Sequence, residues 1–235
     1  MTFRRYVVFI LFFCSLQSVL AQNVNDAGAW LATSFSANVK DISPWKLPSA
    51  FKGTQIYIDP EFRFDENITR LYGFFADVGL TKKINDYAQF VGEMRIGARK
   101  EMDWYNLRKR SSLGLQLSLP LGKVKVFSTT RFQTTHVQSS DLDLKSTWRQ
   151  KFGIEYTPLE NWSFQLSHEL FLSTITYVNT NWRSQFQVKY KLDKRQSVGL
   201  GYLVQRDLEN ADMDFVILAS YKWQFKEKKA KKEEK

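Results

Sequence analysis

The chain has 235 residues, a formal net charge of +10 and 15% aromatic residues. Its mean hydropathy of −0.37, with no stretch near 18 apolar residues after position 21, excludes a helical inner-membrane protein. The only cysteine, Cys14, lies in an N-terminal apolar run, so the rest of the chain has no disulfide and no cysteine metal ligand. A basic chain can bind nucleic acid, but no helix-turn-helix, RNA-recognition or zinc motif is present, and we expect no nucleic-acid partner.

Residues 1–21 have the three parts of a secretory signal peptide. Arg4 and Arg5 supply its positively charged N-terminal part, and a run of nine apolar residues follows at 6–14. Ala21 is a small residue at the cleavage position. The run is shorter than the about 20 residues that a membrane-spanning helix needs, and an uncleaved anchor is the alternative. Cleavage predicts one exported domain over 22–225, with a net charge of +5, and a basic, disordered tail over 226–235.

Downstream of the signal, polar and apolar residues alternate over segments of strand length. In the segment 55–64, Glu61 and Arg63 share one face, while Ile58 and Phe62 share the other. A period of two with unlike faces indicates a strand between two different environments. Eleven such segments occur, at 27–38, 55–64, 68–81, 87–99, 110–119, 123–135, 148–156, 161–173, 182–192, 197–206 and 215–225.

Short turns and longer polar links separate these segments. The turns at 120–123, 158–161 and 192–195 are tight, and longer links lie between them. Short periplasmic turns and longer outer loops are typical of outer-membrane barrels. With the signal peptide, this pattern predicts an all-β fold, a transmembrane antiparallel up-and-down β-barrel. Because a closed antiparallel barrel in one bacterial chain has an even number of strands, we predict 10 or 12 strands rather than eleven.

A soluble periplasmic lipid-binding barrel is the alternative fold, since periodicity alone does not say which face points inward. Two features favour the membrane. The segments exceed the soluble mean of about 5–6 residues, and aromatics such as Trp148, Trp162 and Trp182 lie near segment ends, as interfacial girdles require. We therefore expect a monomeric outer-membrane protein of a Gram-negative cell. Its expected partners are outer-membrane lipids and the barrel-assembly machinery, and we expect neither a cofactor nor a bound metal.

Four stretches carry a family resemblance: GAWL at 28–31, IDPEFRF at 58–64, YGFFADVGL at 72–80 and GLGY at 199–202. Together they resemble a family of uncharacterised predicted outer-membrane barrels of Gram-negative bacteria, known as a domain of unknown function. The resemblance covers most of 27–225. It implies the barrel and its location, and it implies no activity and no site residues.

Charged side chains crowd the polar strand faces, which point into the lumen of a membrane barrel. In the structural interpretation, arginines and carboxylates pair and fill a narrow lumen, because an unpaired buried charge is costly. In the functional interpretation, the lumen is a narrow anion-favouring pore, since Arg and Lys rings select anions. The candidate lumen-lining residues are Glu61, Arg63, Glu93, Arg95, Arg99, Arg110, Arg131, Arg149, Lys151, Glu155, Glu169, Arg183, Lys189 and Lys191.

A lipid hydrolase with an outward-facing Ser/His/Gln row is the alternative function. His168 lies on the apolar face; a hairpin centred near residue 176 pairs it with Ser184, and a tight turn at 158–161 puts Gln150 diagonal to it. Ser184 would be the nucleophile, His168 the base and Gln150 the orienting group. A slip of one residue would move a partner to the other face, and no further motif of such enzymes is present. The sequence therefore favours a protein that is not an enzyme.

Overall fold

The computed structural model of the chain describes residues 26–42, 48, 51–101, 104–137, 144–174, 179–208 and 213–225. The predicted signal peptide, 1–21, and the predicted basic tail, 226–235, lie outside the described residues. The described strands form one closed β-barrel, which contains nearly all of the region that alternates in sequence.

Eleven strands and one short helix make up the described part of the chain. The helix, α1 (Val39–Ile42), follows the first strand, and no helix within the described ranges is long and apolar enough to cross a membrane. Each strand overlaps one of the eleven alternating segments, because successive strand side chains point to opposite faces. The strands are β1 (Asp26–Asn38), β2 (Thr54–Asp65), β3 (Arg70–Lys83), β4 (Ala88–Glu101), β5 (Trp104–Leu121), β6 (Val124–Val137), β7 (Leu144–Leu159), β8 (Trp162–Ser173), β9 (Asn179–Lys191), β10 (Gln196–Asp207) and β11 (Met213–Phe225).

The barrel closes through one parallel pair of strands. Neighbours in sequence are antiparallel, whereas β1 and β11 run parallel, with Ala37 opposite Phe225. The predicted all-β barrel is confirmed, with eleven strands where ten or twelve were predicted. An even number is required only if every pair is antiparallel, and a parallel pair also satisfies the strand edges. Strand β1 therefore begins at the end of the barrel opposite to Phe225. We call the end at Phe225 the tail end and the opposite end the far end.

The outer wall of the barrel is apolar and the interior is charged. On the outer wall, Leu113, Leu166 and Leu200 are each at least 60% exposed, whereas Arg149 and Glu169 in the lumen are buried. Among the described residues, no large side chain is fully buried, and many large apolar side chains are exposed on the outer wall. A soluble lipid-binding barrel has the reverse arrangement, with its apolar face inside.

Aromatic side chains form two rows on the outer wall. Trp148 of β7 and Trp182 of β9 lie toward the far end, and Tyr156 and Tyr190 lie eight residues further along the same strands, toward the tail end. At about 3.3 Å per residue and a tilt of about 40°, the rows are roughly 20 Å apart along the barrel axis. This separation is near the apolar band of about 25 Å that crosses an outer membrane.

Two inward-facing glycines make room for aromatic rings that lie against the lumen wall. A Cβ atom at Gly79 would overlap the ring of Tyr57, and one at Gly153 would overlap the ring of Phe127. Because the wall is flat at Gly79, the Tyr57 hydroxyl reaches Glu93 on β4 and donates a hydrogen bond of 3.0 Å. The glycines thus position two rings among the charged groups of the lumen.

Candidate functional site in the barrel lumen

Six arginines from six strands cross the middle of the lumen and face four carboxylates. We call these ten residues the arginine waist. They surround a central cavity of about 260 Å³. All lie on the polar strand face, which the barrel turns inward. The members are Arg63, Arg95, Arg110, Arg131, Arg149 and Arg183, with Glu61, Asp77, Glu93 and Glu169.

In one half of the waist, carboxylates on β3 and β4 link arginines from three strands. Arg95 donates from Nε and Nη2 to the two carboxylate oxygens of Asp77, at 2.5 Å each. Glu93 accepts from Arg110 at 3.3 Å and from Arg131 at 3.2 Å. Since Arg131 lies on β6, Glu93 of β4 links strands that are not neighbours. Ion pairs across the lumen therefore hold this half together.

The other half of the waist is paired less completely. Arg149 donates from Nε to Glu169 at 3.0 Å and from Nη1 to Gln133 at 2.9 Å. Arg183 donates to the amide oxygen of Gln205 at 2.5 Å and lies over the Phe171 ring, 4.9 Å from its centroid. Within the described residues Arg183 makes no ion pair, so an amide and an aromatic face stand where a carboxylate would neutralise it.

An apolar wall at the β1–β11 junction borders the waist. Leu203, Val216 and Leu218 form a buried cluster, and Trp30 packs against it. The guanidinium of Arg63 lies 3.9 Å from the centroid of the Trp30 ring. On this side of the lumen, the waist therefore contacts an aromatic ring through a cation–π interaction. Within the described strands, it does not face a second row of charged side chains there.

Four lysines surround a second cavity, of about 440 Å³, on the tail-end side of the waist. Lys125 forms an ion pair with Glu155, and Lys189 donates to Gln165 at 2.8 Å. Lys151 and Lys222 form no ion pair with any carboxylate of the described residues. We call this region the lysine vestibule, and its members are Lys125, Lys151, Lys189, Lys222, Glu155, Gln116, Gln165 and Thr129; Phe127 and the waist residues Arg131, Arg149 and Glu169 complete the lining of the cavity.

A third cavity, of about 350 Å³, adjoins the vestibule. Lys189 and Lys222 line both cavities, and Asp59 contributes a carboxylate to the third. Altogether, ten cationic side chains and six carboxylates line the three cavities. The inner surface is therefore positively charged, with two more cations than carboxylates in the waist and two more among the groups on its tail-end side.

Twelve of the fourteen predicted lumen residues line these cavities. The other two, Arg99 and Lys191, lie outside them. Arg99 is opposite Gly73 on β3 and lies over the Tyr72 ring, 4.4 Å from its centroid. Lys191 is opposite Ser197 at the tail end of β9 and is exposed. Both follow the inward alternation of their strands, above and below the charged middle.

Four charged groups of the lumen were absent from the predicted set: Asp59, Asp77, Lys125 and Lys222. Alternation could have found each of them. Asp59 lies two residues before Glu61 on β2, and Lys222 lies on the polar face of the closing strand. What the sequence does not show is which of them form ion pairs, as Asp77 and Lys125 do, because the partners come from other strands.

The outer wall carries a separate pair of polar groups. His168 of β8 lies opposite Ser184 of β9, as the predicted register requires, and His168 Nδ1 is 2.9 Å from Ser184 Oγ. The His168 ring also packs near Trp182, with centroids 5.7 Å apart. His168 is exposed on the outer wall. A base therefore lies beside a hydroxyl on the wall, near the far-end aromatic row.

Gln150 does not complete a Ser–His–Gln row. Its amide oxygen accepts from the Thr130 hydroxyl at 2.6 Å, and its amide nitrogen donates to Ser128 Oγ at 2.8 Å. Both partners lie on β6, on the side of β7 away from His168. The expected orienting role is corrected accordingly: the amide satisfies two neighbouring hydroxyls, as polar groups in an apolar wall must. No cluster of three or more His, Cys, Asp or Glu residues suited to a metal occurs in the described ranges.

Comparisons with known proteins identify a family and find similarity to solved structures. The profile of a family described as "Protein of unknown function (DUF2490)" matches residues 27–215. The chain is similar to a solved structure described as "NanC porin structure in rhombohedral crystal form", with 12% identity, a TM-score of 0.49, and coverage of 80% of this chain and 90% of that chain. It is also similar to an "Anion-selective porin from Comamonas acidovorans", with 9% identity, a TM-score of 0.34, and coverage of 71% and 55%. No curated protein matches the sequence.

Proposed function

We propose that this chain, which belongs to the DUF2490 family of proteins of unknown function, is an outer-membrane barrel whose lumen passes small anions. The apolar outer wall, its two aromatic rows and the signal-like residues 1–21 support the location. With this location, we take the tail end, where the last strand β11 ends, to face the periplasm. The far end then faces outward.

The charge of the lumen carries the proposal. Ten cations and six carboxylates line the three cavities, so fixed positive charge exceeds fixed negative charge along the passage. Excess positive charge in a confined passage attracts anions and repels cations, and rings of Arg and Lys act this way in known pores. Among the described residues, Arg183, Lys151 and Lys222 contribute to this excess, because none of them forms an ion pair with a carboxylate.

The arginine waist limits the size of the permeant ion. Its guanidinium groups are held by short contacts such as those from Arg95 to Asp77 at 2.5 Å, and the cavity that they surround is only about 260 Å³. Such a constriction suits chloride-sized or small oxygen-bearing anions. Large ligands need long loops on a rigid scaffold, and the links between strands at the far end are only two to six residues long.

Planar-bilayer recording under a KCl gradient tests this function. We expect discrete current steps with a reversal potential biased toward the chloride equilibrium potential. The double variant Lys151→Gln/Lys222→Gln removes two lumen charges and should move the reversal potential toward zero. Lys123→Gln/Lys194→Gln removes two charges from tail-end turns and serves as the matched control, with little expected change. A folded barrel that carries no current, or that prefers cations, would contradict the proposal.

A second candidate function, hydrolysis of membrane lipid esters, is favoured by the 2.9 Å approach of His168 Nδ1 to Ser184 Oγ. The Ser184 hydroxyl would attack an ester carbonyl and transfer its proton to His168, and the leaving lysolipid alkoxide would take that proton. Water would then hydrolyse the acyl-serine and release a fatty acid. The pair lies two residues from Trp182, at the depth where ester groups of the outer leaflet meet the far-end aromatic row.

Fatty-acid release from phospholipid mixed micelles tests the second function. We expect His168→Ala and Ser184→Ala to abolish release. Gln150→Ala serves as the control, since the Gln150 amide is held by Ser128 and Thr130, and this variant should keep the activity. If the folded wild-type protein releases no fatty acid, or if the two alanine variants remain active, the pair is only a satisfied polar contact in the wall.

A further inference from the structure

We propose that the lysine vestibule is a binding site for a small divalent oxyanion of the phosphate type. The inference deepens the proposed anion-passing function and rests on it. The proposed function rests on the net positive charge of the whole lumen. The present proposal names a class of ligand and the cavity in which that ligand binds. The four lysines come from four different strands, β6, β7, β9 and β11, and converge on one cavity of about 440 Å³.

Incomplete neutralisation is the first reason. Lys125 has Glu155 as its partner, and Lys189 has only the neutral amide oxygen of Gln165, at 2.8 Å. Glu169 lines the same cavity and Asp59 lines the adjoining one with Lys222, but among the described residues no carboxylate lies within ion-pair distance of Lys151 or Lys222. The cations of this cavity outnumber its carboxylates, so they repel one another, and an anion between them reduces that repulsion.

The donors of the cavity are the second reason. Each lysine ammonium has three N–H donors, and an oxyanion offers several acceptors at once. Gln116 and Thr129 add neutral hydrogen-bonding groups to the lining, and Arg149 adds a guanidinium from the waist side. A divalent ion neutralises both unpaired lysines, whereas chloride neutralises one of them and accepts hydrogen bonds less directionally. The lining therefore fits phosphate better than chloride.

The position of the cavity decides from which side the anion enters. The vestibule lies between the tail end and the arginine waist, so an ion from the tail end reaches it without crossing the waist. An ion from the far end must first pass the guanidinium groups of residues such as Arg95 and Arg110. Phosphate should therefore act asymmetrically. Because the vestibule is inside the lumen and not on the lipid-facing wall, a free anion is the expected occupant rather than a lipid headgroup.

Equilibrium dialysis of the full-length, delipidated protein in detergent with inorganic phosphate is the direct test. We expect saturable binding that weakens about tenfold or more in Lys151→Gln/Lys222→Gln, the equivalent of losing about 1.4 kcal/mol. The control Lys123→Gln/Lys194→Gln should bind like the wild type. Phospholipid phosphorus that co-purifies with delipidated protein and blocks phosphate uptake would identify a headgroup as the occupant and overturn the assignment to a free anion.

Bilayer recording separates this site from the pore function. Phosphate added on the tail side of an oriented barrel should block chloride current at lower concentration than phosphate added on the far side, and the block should weaken in Lys151→Gln/Lys222→Gln. Saturable phosphate binding by a barrel that carries no current would support the phosphate site and contradict the proposed pore function. Anion-selective current with no phosphate binding, or with equal block from both sides, would support the pore function and contradict the phosphate site in the vestibule.

Discussion

The arginine waist and the lysine vestibule line the same lumen, yet they hold their charges differently. In the waist, six arginines face four carboxylates, and among the described residues every arginine except Arg183 forms an ion pair, such as that of Arg149 with Glu169 at 2.8 Å. In the vestibule, Lys151 and Lys222 face no carboxylate at ion-pair distance among the described residues. The same net sign of charge thus serves two purposes: the paired region holds strands together, and the unpaired region is available to a ligand.

The chemistry of the two side chains matches this division. The planar guanidinium of arginine makes two parallel hydrogen bonds to a carboxylate, as Arg95 does with Asp77. A lysine ammonium is a flexible point charge that adapts to an exchangeable ion. Rigid pairs suit a constriction that must keep its shape, and flexible cations suit a site that fills and empties.

The largest expected difference between the two regions is in stability. Glu93→Gln removes the charge that Arg110, Arg131 and the Tyr57 hydroxyl share. Among the described residues it leaves Arg131 without an ion-pair partner and Arg110 with only Asp77, at 3.7 Å. We expect the free energy of unfolding to fall by roughly 3–5 kcal/mol. Urea titration, followed by the heat-modifiable shift between folded and unfolded gel bands, measures it.

Glu155→Gln is the matched control in the vestibule. Its partner Lys125 is 44% exposed, so solvent screens the pair and the expected loss is below about 1 kcal/mol. Equal losses of unfolding free energy in Glu93→Gln and Glu155→Gln would mean that the waist depends no more on its ion pairs than the vestibule does. That result would contradict the distinction between a structural waist and a ligand-binding vestibule.

A smaller effect should follow from making the vestibule resemble the waist. Gln165→Glu places a carboxylate where Lys189 now meets an amide oxygen at 2.8 Å, with almost no change of volume. The new ion pair should lower phosphate affinity about three- to tenfold and reduce the anion selectivity of the current. Glu160→Gln, in the turn between β7 and β8, changes charge outside the lumen and is the comparison variant for nonspecific effects. Unchanged phosphate binding in Gln165→Glu would show that the unpaired lysines do not form the site.

The smallest effect on ion selectivity and phosphate binding is expected from Tyr57→Phe, which removes one donor to Glu93 and keeps the ring that lies over Gly79. Loss of a hydrogen bond to a charged group should lower stability by roughly 1.5 kcal/mol. Since no charge changes, ion selectivity and phosphate binding should stay as in the wild type. A shift in selectivity as large as that of Lys151→Gln/Lys222→Gln would place control of permeation in the waist instead.

Much of this architecture can be predicted from the chain itself. The alternation of Glu61 and Arg63 with Ile58 and Phe62 marks β2, and the same pattern marks all eleven described strands. Alternation also predicts which charges face inward, and hairpin length predicts that His168 meets Ser184, which the register confirms. These features are local, since side-chain direction in a strand depends only on the pleat.

Closure and charge pairing depend on the tertiary structure. The parallel contact of β1 with β11 joins residues almost two hundred positions apart, and the even-number rule excluded it from the prediction. Glu93 reaches Arg131 across an intervening strand, and the Gln150 amide turns to β6 rather than to His168. Period and hairpin register determine the face and the neighbour of a residue. Which charges are neutralised and which stay available depends on the curvature of the closed barrel, which brings distant strands to one point, and no local pattern encodes that distance.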